Sequence, residues 1–511
     1  MNGADVLCDS LLELGVDTCF ANPGTSEMHF VAALDRKPEL RCVLGLSEGV
    51  VTGAADGYAR MLDRPAATLL HLGPGLGNGL ANLHNARRAH TPILNIVGDH
   101  ASYHLANDPP LASDIESLAW PVSCFVKRVD GPDSIEADIR DGWQAAMQSR
   151  GVSTIILPGD AAWNDAAGTT ASGRPEVVYP LPEPLLLDQA IAAVRSGRRC
   201  VLLLGGPALR ADCLDAAGRI AGAGVRLMSE PSNSRIERRP GQASLSRTPY
   251  VLDDVVDTFR EIEVIITVGA RPPLAFFAYP GKPTHLYPAH AKVIELCPYT
   301  GDCLGTLQAF SDAVGQTSAP CPVPLPIEVT EGPLTEEIVA RVVARELPEN
   351  AIVCDESITS CRSFFAQAEG RVTHDYLQLT GGAIGIGIPL AVGAALACPE
   401  RPVITLQADG SAMYTVQGLW TQARENLNIV TVLLSNRAYA ILQGEMRRVG
   451  VNSYGQNARR MLELSDPDLN WVGIAESLGV SATRATTTEQ FVHALRAALA
   501  SRGPHLIEAV I

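Results

Sequence analysis

Two oxygen-bearing side chains directly follow apolar stretches that are typical of buried strands. Asp409 comes after PVITLQA and Asn436 after IVTVLLS, with 26 residues between them. If these strands are neighbours in a parallel sheet, their carboxyl ends meet at one edge and the two side chains converge. Carboxylate and amide oxygens suit Mg²⁺, which often also binds phosphate oxygens. Gly410 allows close approach to a phosphate, and Ser411 is expected to begin a helix whose N-terminus favours anions. Asp409 or Asn436 alone would be interpreted as part of an Asx turn, whereas the two together predict a metal and phosphate site.

A second carboxylate, Glu48, is expected in the first turn of a helix. It follows the apolar stretch RCVLGL, and Ser47 before it is a typical N-cap residue. Glu48 would then at least complement the helix dipole. A carboxylate in this place is also suited to general acid–base chemistry.

These segments together resemble thiamine diphosphate-dependent enzymes. Asp409 and Asn436 match the GDG…N motif of that family, although Ala408 replaces the first glycine. The stretch from Glu48 to Arg60 resembles the family's E-x-x-A-x-x-x-A-x-G-Y-A-R segment. The similarity covers the whole chain and is greatest to benzoylformate decarboxylase and the group that contains acetolactate synthase.

The resemblance implies thiamine diphosphate and Mg²⁺ as cofactors. Asp409, Asn436 and the backbone carbonyl of Ala438 would bind the metal, and Glu48 would bond N1′ of the aminopyrimidine and thereby activate the cofactor. Further cofactor contacts are implied for Thr359, Gly382 (through its carbonyl), Ile384 (as a wedge that bends the cofactor), Gly410, Ser411 and Tyr439. The family places this site between subunits, so a homo-oligomer is expected, with a dimer as the minimum and a tetramer as the usual assembly.

Substrate contacts are also predicted by the resemblance. His71 matches a histidine near the substrate carboxylate, where it would orient that group or relay a proton, and a structural role is the alternative. Thr25, in ANPGTSEM, matches a serine that contacts substrate. Phe276 stands where benzoylformate decarboxylase carries a second catalytic histidine; it and the next phenylalanine line an apolar pocket or belong to the core. His100 and His104 are further candidates for a proton relay.

The favoured function is non-oxidative decarboxylation of a small 2-oxo acid to an aldehyde. The alternative is a carboligase or lyase of the acetolactate synthase type, which forms or cleaves 2-hydroxyketones. A cofactor-binding subunit without turnover would be expected to have a degenerate Glu or metal pair, and none is degenerate. A nicotinamide dehydrogenase would need a dinucleotide glycine fingerprint, which is missing. The Gly205-Gly206 pair is interpreted as a structural turn, so FAD is not expected.

The elements that position these residues follow an α/β pattern. Short apolar strands alternate with helices, which predicts parallel sheets in three α/β domains: a pyrimidine-binding domain over 1–165, a central domain over 185–314 and a pyrophosphate- and Mg-binding domain over 334–511. Stretches rich in Pro, Gly, Ser and Thr at 166–184 and 315–333 are predicted linkers.

Bulk composition narrows the class of protein. A chain of 511 residues is expected to form about three domains. The net charge of −16 argues against nucleic-acid and membrane-surface partners. The twelve cysteines show no CxxC pair and predict small buried hydrophobes in a reducing compartment, hence a cytoplasmic protein. The apolar run 383–398 is broken by Pro389 and predicts a buried helix rather than a membrane span.

Overall fold

The computed structural model describes residues 1–168, 173–315 and 317–511. The two predicted linkers therefore lie partly outside the described residues. Three sheets organise the described chain, and all strand pairs except one are parallel. This confirms the predicted α/β class.

Residues 1–168 form a parallel sheet with strand order β2-β1-β3-β4-β6-β5. Because its inner strands are apolar on both faces, helices cover both sides. The elements are β1 (Thr18–Asn22), β2 (Arg41–Leu44), β3 (Ala66–Leu70), β4 (Ile93–Asp99), β5 (Phe125–Arg128), β6 (Val152–Pro158), α1 (Gly3–Glu13), α2 (Met28–Leu34), α3 (Glu48–Leu62), α4 (Leu72–Ala89), α5 (Ile115–Ala119), α6 (Ile135–Ser149) and α7 (Gly159–Trp163).

The middle of the chain forms a second parallel sheet with order β10-β8-β7-β11-β12. Its elements, together with one strand that leaves it, are β7 (Cys200–Leu204), β8 (Arg226–Ser229), β9 (Ile236–Arg238), β10 (Ser246–Arg247), β11 (Val264–Val268), β12 (Lys292–Cys297), α8 (Pro184–Arg195), α9 (Ala211–Gly222), α10 (Leu252–Phe259) and α11 (Cys303–Val314).

The third sheet has the order β17-β18-β16-β15-β13-β14-β9. Its remaining elements are β13 (Ala351–Glu356), β14 (His374–Gln378), β15 (Val403–Ala408), β16 (Ile429–Ser435), β17 (Ser481–Ala485), β18 (His505–Val510), α12 (Glu336–Glu346), α13 (Phe364–Gln367), α14 (Gly387–Ala397), α15 (Asp409–Ala412), α16 (Gly418–Arg424), α17 (Ala440–Arg448), α18 (Gln456–Leu462), α19 (Trp471–Ser477) and α20 (Thr488–Ala500).

Strand β9 is the exception to the parallel pattern. It comes from the middle segment but pairs antiparallel with β14 at the edge of the third sheet. An edge strand has unpaired backbone groups, which β9 satisfies. Arg235, just before β9, anchors it through an ion pair from Nε to Asp375 Oδ1 at 2.6 Å. This pairing could not be predicted from the sequence because β9 is only three residues long.

Helices α3 and α14 join the first and third sheets in very close contact. A Cβ added to Gly57 would lie 2.1 Å from the Leu390 carbonyl oxygen, and one added to Gly393 would lie 1.9 Å from that of Ala54. Glycine is therefore required on both helices, because any side chain would collide with backbone. Helix α14 is buried, as predicted, and none of the helices in the described ranges is long and apolar enough to span a membrane.

The prediction of buried cysteines is correct for eight of them, Cys398 is half-buried, and the prediction is wrong for the three exposed ones. All twelve are free thiols, and Cys42, Cys124 and Cys321 are exposed. Cys42 lies on the edge strand β2 and Cys124 precedes the edge strand β5, where an apolar sequence context does not guarantee cover.

Candidate active site

The predicted metal residues stand at one edge of the third sheet. Strands β15 and β16 are parallel neighbours, with Ala408 paired to Leu434, so Asp409 and Asn436 both follow carboxyl ends at that edge. Asp409 Oδ2 accepts a hydrogen bond of 2.7 Å from the backbone N–H of Arg437. The carboxylate thus touches the turn that carries Asn436, as the strand pattern predicted.

The backbone around Asp409 accounts for the alanine in place of glycine. Ala408 has φ −76° and ψ 146°, an extended conformation open to any residue, so no glycine is needed there. A Cβ on Gly410, in contrast, would lie 2.5 Å from Cε1 of Tyr439, so glycine is needed at that position. The predicted helix start at Ser411 is wrong: α15 already begins at Asp409, because the chain turns directly at the strand end.

The donors at this edge fit a divalent cation. The side chain of Asp409 is buried, and burial raises the pKa of its carboxyl. Across the described ranges, Asp409 takes part in no ion pair with Lys or Arg, so a cation would compensate its charge. Asn436 Oδ1, which accepts from Ala438 N–H at 3.0 Å, supplies a second hard oxygen beside it.

A buried carboxylate that sequence reasoning missed holds the glycine-rich segment after β14. Glu356, at the end of β13, accepts hydrogen bonds from the backbone N–H groups of Gly385 at 2.6 Å and Gly387 at 2.7 Å. Gln407 Nε2 donates to Glu356 Oε2 at 3.0 Å and to Ser411 Oγ at 2.6 Å. This network fixes the segment that contains Gly382 and Ile384 relative to the turn at Asp409. The sequence shows that Glu356 ends an apolar strand, but the partners that allow its burial lie about 30 residues further along the chain.

Glu48 and His71 both border Gly75 at the carboxyl edge of the first sheet. Ser47 caps α3 and Glu48 is its first residue, as predicted. A Cβ on Gly75 would lie 3.3 Å from Glu48 Oε1 and 3.4 Å from His71 Cβ, so both side chains border the same point. Asn78 Nδ2 donates to Glu48 Oε2 at 3.1 Å and orients the carboxylate.

His71 is held by a second missed carboxylate, Glu27. The distance from His71 Nδ1 to Glu27 Oε2 is 2.8 Å, and the Glu27 side chain is only 1% exposed. The same carboxylate accepts from Gly24 N–H at 2.7 Å and from the Ser26 hydroxyl at 2.6 Å. Thr25, in the same turn, is exposed. The motif ANPGTSEM contains Glu27, but only its partner across 44 residues reveals its role.

Within one chain, asparagines of α4 connect the carboxyl edges of the first and third sheets. Asn82 Nδ2 donates to the Gly49 carbonyl at 2.7 Å, and Asn85 Nδ2 donates to the Ala383 carbonyl at 2.7 Å. Thr359 and Ile384 are half-buried at the third-sheet edge. His100 and His104 contact each other, with ring centroids 6.0 Å apart, and their predicted relay role stays a prediction.

The position of Phe276 decides between pocket and core. Phe276 and Phe277 are 60% and 53% exposed, so neither belongs to the core. Both line a cavity of about 720 Å³. A Cβ on Gly382 would lie 3.1 Å from Phe276 Cζ, so this ring contacts the segment predicted to bind the cofactor's pyrimidine.

Comparison with known proteins agrees with this geometry. Residues 1–117 match the thiamine pyrophosphate enzyme N-terminal TPP binding domain, and residues 358–509 match its C-terminal TPP binding domain. IlvX of Mycobacterium tuberculosis, whose name assigns it provisionally as an acetolactate synthase large subunit, is a relative of this chain. It is 48% identical over 100% of this chain and 99% of its own length. Benzoylformate decarboxylase of Pseudomonas aeruginosa is 30% identical over 97% of this chain and 96% of its own.

A solved structure shares the fold throughout. The Rhodococcus jostii RHA1 thiamine diphosphate-dependent 4-hydroxybenzoylformate decarboxylase superposes with a TM-score of 0.88 at 25% identity, covering 100% of this chain and 99% of that one. Both TPP binding domains, the full-length relatives and the fold lead to one assignment. The chain belongs to the thiamine pyrophosphate enzyme family and is an enzyme that depends on thiamine diphosphate.

Proposed function

We propose that this chain decarboxylates a 2-oxo acid without oxidation, releasing CO₂ and an aldehyde, with Mg²⁺ and thiamine diphosphate as cofactors. Thiamine diphosphate supplies a carbon nucleophile and an electron sink for this chemistry. The observation that carries the proposal is the contact of Asp409 with the turn of Asn436, because it brings the oxygen donors that Mg²⁺ would require to one sheet edge, next to Gly410. Asp409, Asn436 and the Ala438 carbonyl are the proposed metal ligands.

The remaining residues have proposed roles at the two sheet edges. Glu48, oriented by Asn78, holds a proton at the pyrimidine N1′. The Gly382 carbonyl and Ile384 would hold the pyrimidine. His71, fixed by its bond to Glu27, orients the substrate carboxylate or moves a proton. Thr25 offers a hydroxyl to substrate from the same turn.

Further proposed cofactor contacts lie around the metal site. Thr359, at the turn after β13, contacts the diphosphate together with Gly410 and Ser411. Tyr439 packs its ring on Gly410 and thereby closes the site on the side of α17. Each of these residues lies in the segment that directly follows the end of a strand.

Carboligation to a 2-hydroxyketone is the second candidate reaction, and Phe276 is the observation that favours it. An apolar ring stands where the resemblance places a histidine, so one proton donor is missing beside the Gly382 segment. Without that donor, the protonation that leads to an aldehyde is slower, so reaction with the carbonyl group of a second molecule competes better.

A product-resolved assay tests both reactions. The protein, supplied with thiamine diphosphate and Mg²⁺, is incubated with aromatic, branched, short and long-chain 2-oxo acids, and CO₂, aldehyde and hydroxyketone are quantified. We expect CO₂ with aldehyde as the main second product, and loss of activity in Asp409→Ala. Hydroxyketone as the main product would select carboligation, and absence of CO₂ from every acid would contradict both reactions.

We also propose that two chains share each site. Large apolar side chains are exposed beside both sheet edges: Leu46 at 45% next to Glu48, and Tyr414 at 57% after the Asp409 turn. Such exposed groups suit burial against a second copy. The proposed assembly is therefore a homodimer or a dimer of dimers.

Mixing two inactive variants tests this arrangement. If Glu48 of one chain completes the site of Asp409 in its partner, a mixture of Glu48→Gln and Asp409→Ala chains contains heterodimers with one intact site. Random exchange should restore about a quarter of wild-type activity. No recovery after exchange, verified by mass spectrometry of the mixed dimers, would contradict a shared site.

A further inference from the structure

A large cavity opens beyond Phe276, at the carboxyl ends of the strands of the middle sheet. It measures about 720 Å³. Ser232 follows β8, Thr248 follows β10 and Pro273 follows β11, and all three line it. In open α/β sheets this edge is where ligands bind. Val449, at the end of α17, lines the cavity from the third-sheet segment.

Aromatic rings connect the cavity to the proposed cofactor site. Phe276 contacts Gly382, as described above, and its ring lies 4.7 Å from that of Phe277 and 5.8 Å from that of Tyr250. All three rings line the cavity. A substrate held at the Gly382 segment therefore has this aromatic surface next to it.

The charged groups that line the cavity already have ion-pair partners. Lys282 Nζ lies 2.7 Å from Asp253 Oδ1. Arg448 forms an ion pair with Glu445, which also accepts the Tyr279 hydroxyl at 2.8 Å. A charged ligand would have to compete with these partners, whereas an apolar ligand leaves them intact.

The volume sets the size of the occupant. A cavity of about 150 Å³ accommodates benzene, so this one is several times larger than a phenyl ring requires. It lies within the range of about 300–1,000 Å³ that is usual for small-molecule sites. A methyl or phenyl substituent would leave most of it unfilled.

We propose that this cavity, here called the substituent cavity, receives the side chain of the 2-oxo acid, and that this side chain is uncharged, apolar and larger than phenyl, such as an extended alkyl chain. The inference rests on the proposed 2-oxo acid decarboxylation. Phe276, which contacts Gly382, and Val449 both line the cavity. Burial of each added methylene should raise kcat/KM roughly fourfold until the cavity is filled.

A homologous series of substrates tests the substituent cavity. Release of CO₂ is measured for pyruvate, 2-oxohexanoate, 2-oxooctanoate and 2-oxodecanoate with the holoenzyme. We expect kcat/KM to rise along the series, by more than 100-fold overall. Val449→Trp, at a side chain that is 59% exposed, should partly fill the cavity and lower the ratio of 2-oxodecanoate to pyruvate kcat/KM at least tenfold.

Met461→Trp is the matched control, since Met461 is 74% exposed and does not line the cavity. It should leave the ratio unchanged. A flat or falling series, or an equal loss for both substrates in Val449→Trp, would overturn the proposal.

A binding measurement separates this inference from the proposed reaction. Phe277→Trp places an indole in the cavity wall, and its fluorescence should change with 2-oxodecanoate but not with pyruvate, whether or not turnover occurs. Binding without CO₂ release would refute the proposed decarboxylation alone. Release of CO₂ without a chain-length effect would refute the substituent cavity alone.

Discussion

Replacing Glu27 with glutamine removes one charge and keeps the shape of the side chain. In the native site Glu27 Oε2 lies 2.8 Å from His71 Nδ1 and 2.7 Å from the N–H of Gly24. An ionised carboxylate only accepts hydrogen bonds, so against it His71 donates from Nδ1. Glutamine would let the ring rotate or change tautomer.

The magnitude follows from the burial of this pair. A hydrogen bond to a charged group is worth about 1.5–3 kcal/mol, which corresponds to roughly a 10- to 150-fold change in kcat/KM. With Glu27 1% exposed and His71 23% exposed at the side chain, solvent screens the pair little. We therefore expect kcat/KM of Glu27→Gln to fall by a factor in the upper half of that range.

The assay is a double-mutant cycle on CO₂ release. Glu27→Gln, His71→Ala and the double variant are compared at saturating cofactor, with urea unfolding as a stability control. If Glu27 acts through His71, the double variant should be no slower than His71→Ala alone. Ser26→Ala removes the hydroxyl that lies 2.6 Å from Glu27 Oε1 and 3.3 Å from His71 Nδ1 but leaves the bond between Glu27 and His71 in place, so it should cost less than Glu27→Gln. Independent, multiplying losses in the double variant would refute the reasoning.

Three further predictions concern stability and the metal turn. Burial raises the pKa of Glu230 from 4.5 to about 7; the unfolded chain then binds fewer protons than the native state between these values. The free energy of unfolding should accordingly fall as pH rises through this window, by up to about 3 kcal/mol, and Glu230→Gln should lack this slope in urea titrations at several pH values. Gly393→Ala should destabilise the protein by about 1–3 kcal/mol or more, because the added methyl group overpacks the contact with α3. Gly444→Ala is the control: it has open space around it and should stabilise the protein by about 0.5–1 kcal/mol. Equal effects of the two variants in thermal unfolding would be inconsistent with the close helix contact. Ala408→Gly should bring no gain in cofactor affinity, measured by calorimetry, because the backbone there is ordinary; a severalfold tighter Kd would show the opposite.

Much of the fold was predictable because its signals are local. The buried strands PVITLQ and IVTVLLS became β15 and β16, and the apolar run around Pro389 became the buried helix α14. A continuous apolar strand bounded by turn residues depends only on its own residues. The antiparallel strand β9 was not predictable, because it forms only where the free edge of β14 meets it.

The candidate site divides in the same way. Asp409 and Asn436 were found because each directly follows a strand, and the topology of parallel neighbours makes such positions converge. Glu27 and Glu356 were missed because their partners are distant in sequence, at His71 and at the Gly385–Gly387 turn. A buried carboxylate is recognised by what satisfies it, which only packing shows.

The sequence by itself determined which residues end strands and which begin helices. It also determined that Glu48 and the Asp409–Asn436 pair belong to a thiamine diphosphate enzyme. The tertiary structure decided which of these ends face each other and what surrounds them. It placed Phe276 on Gly382 and left both phenylalanines on an open apolar cavity rather than in the core. The physical reason is that strand and cap preferences act over a few residues, whereas contacts and burial depend on the packing of whole elements.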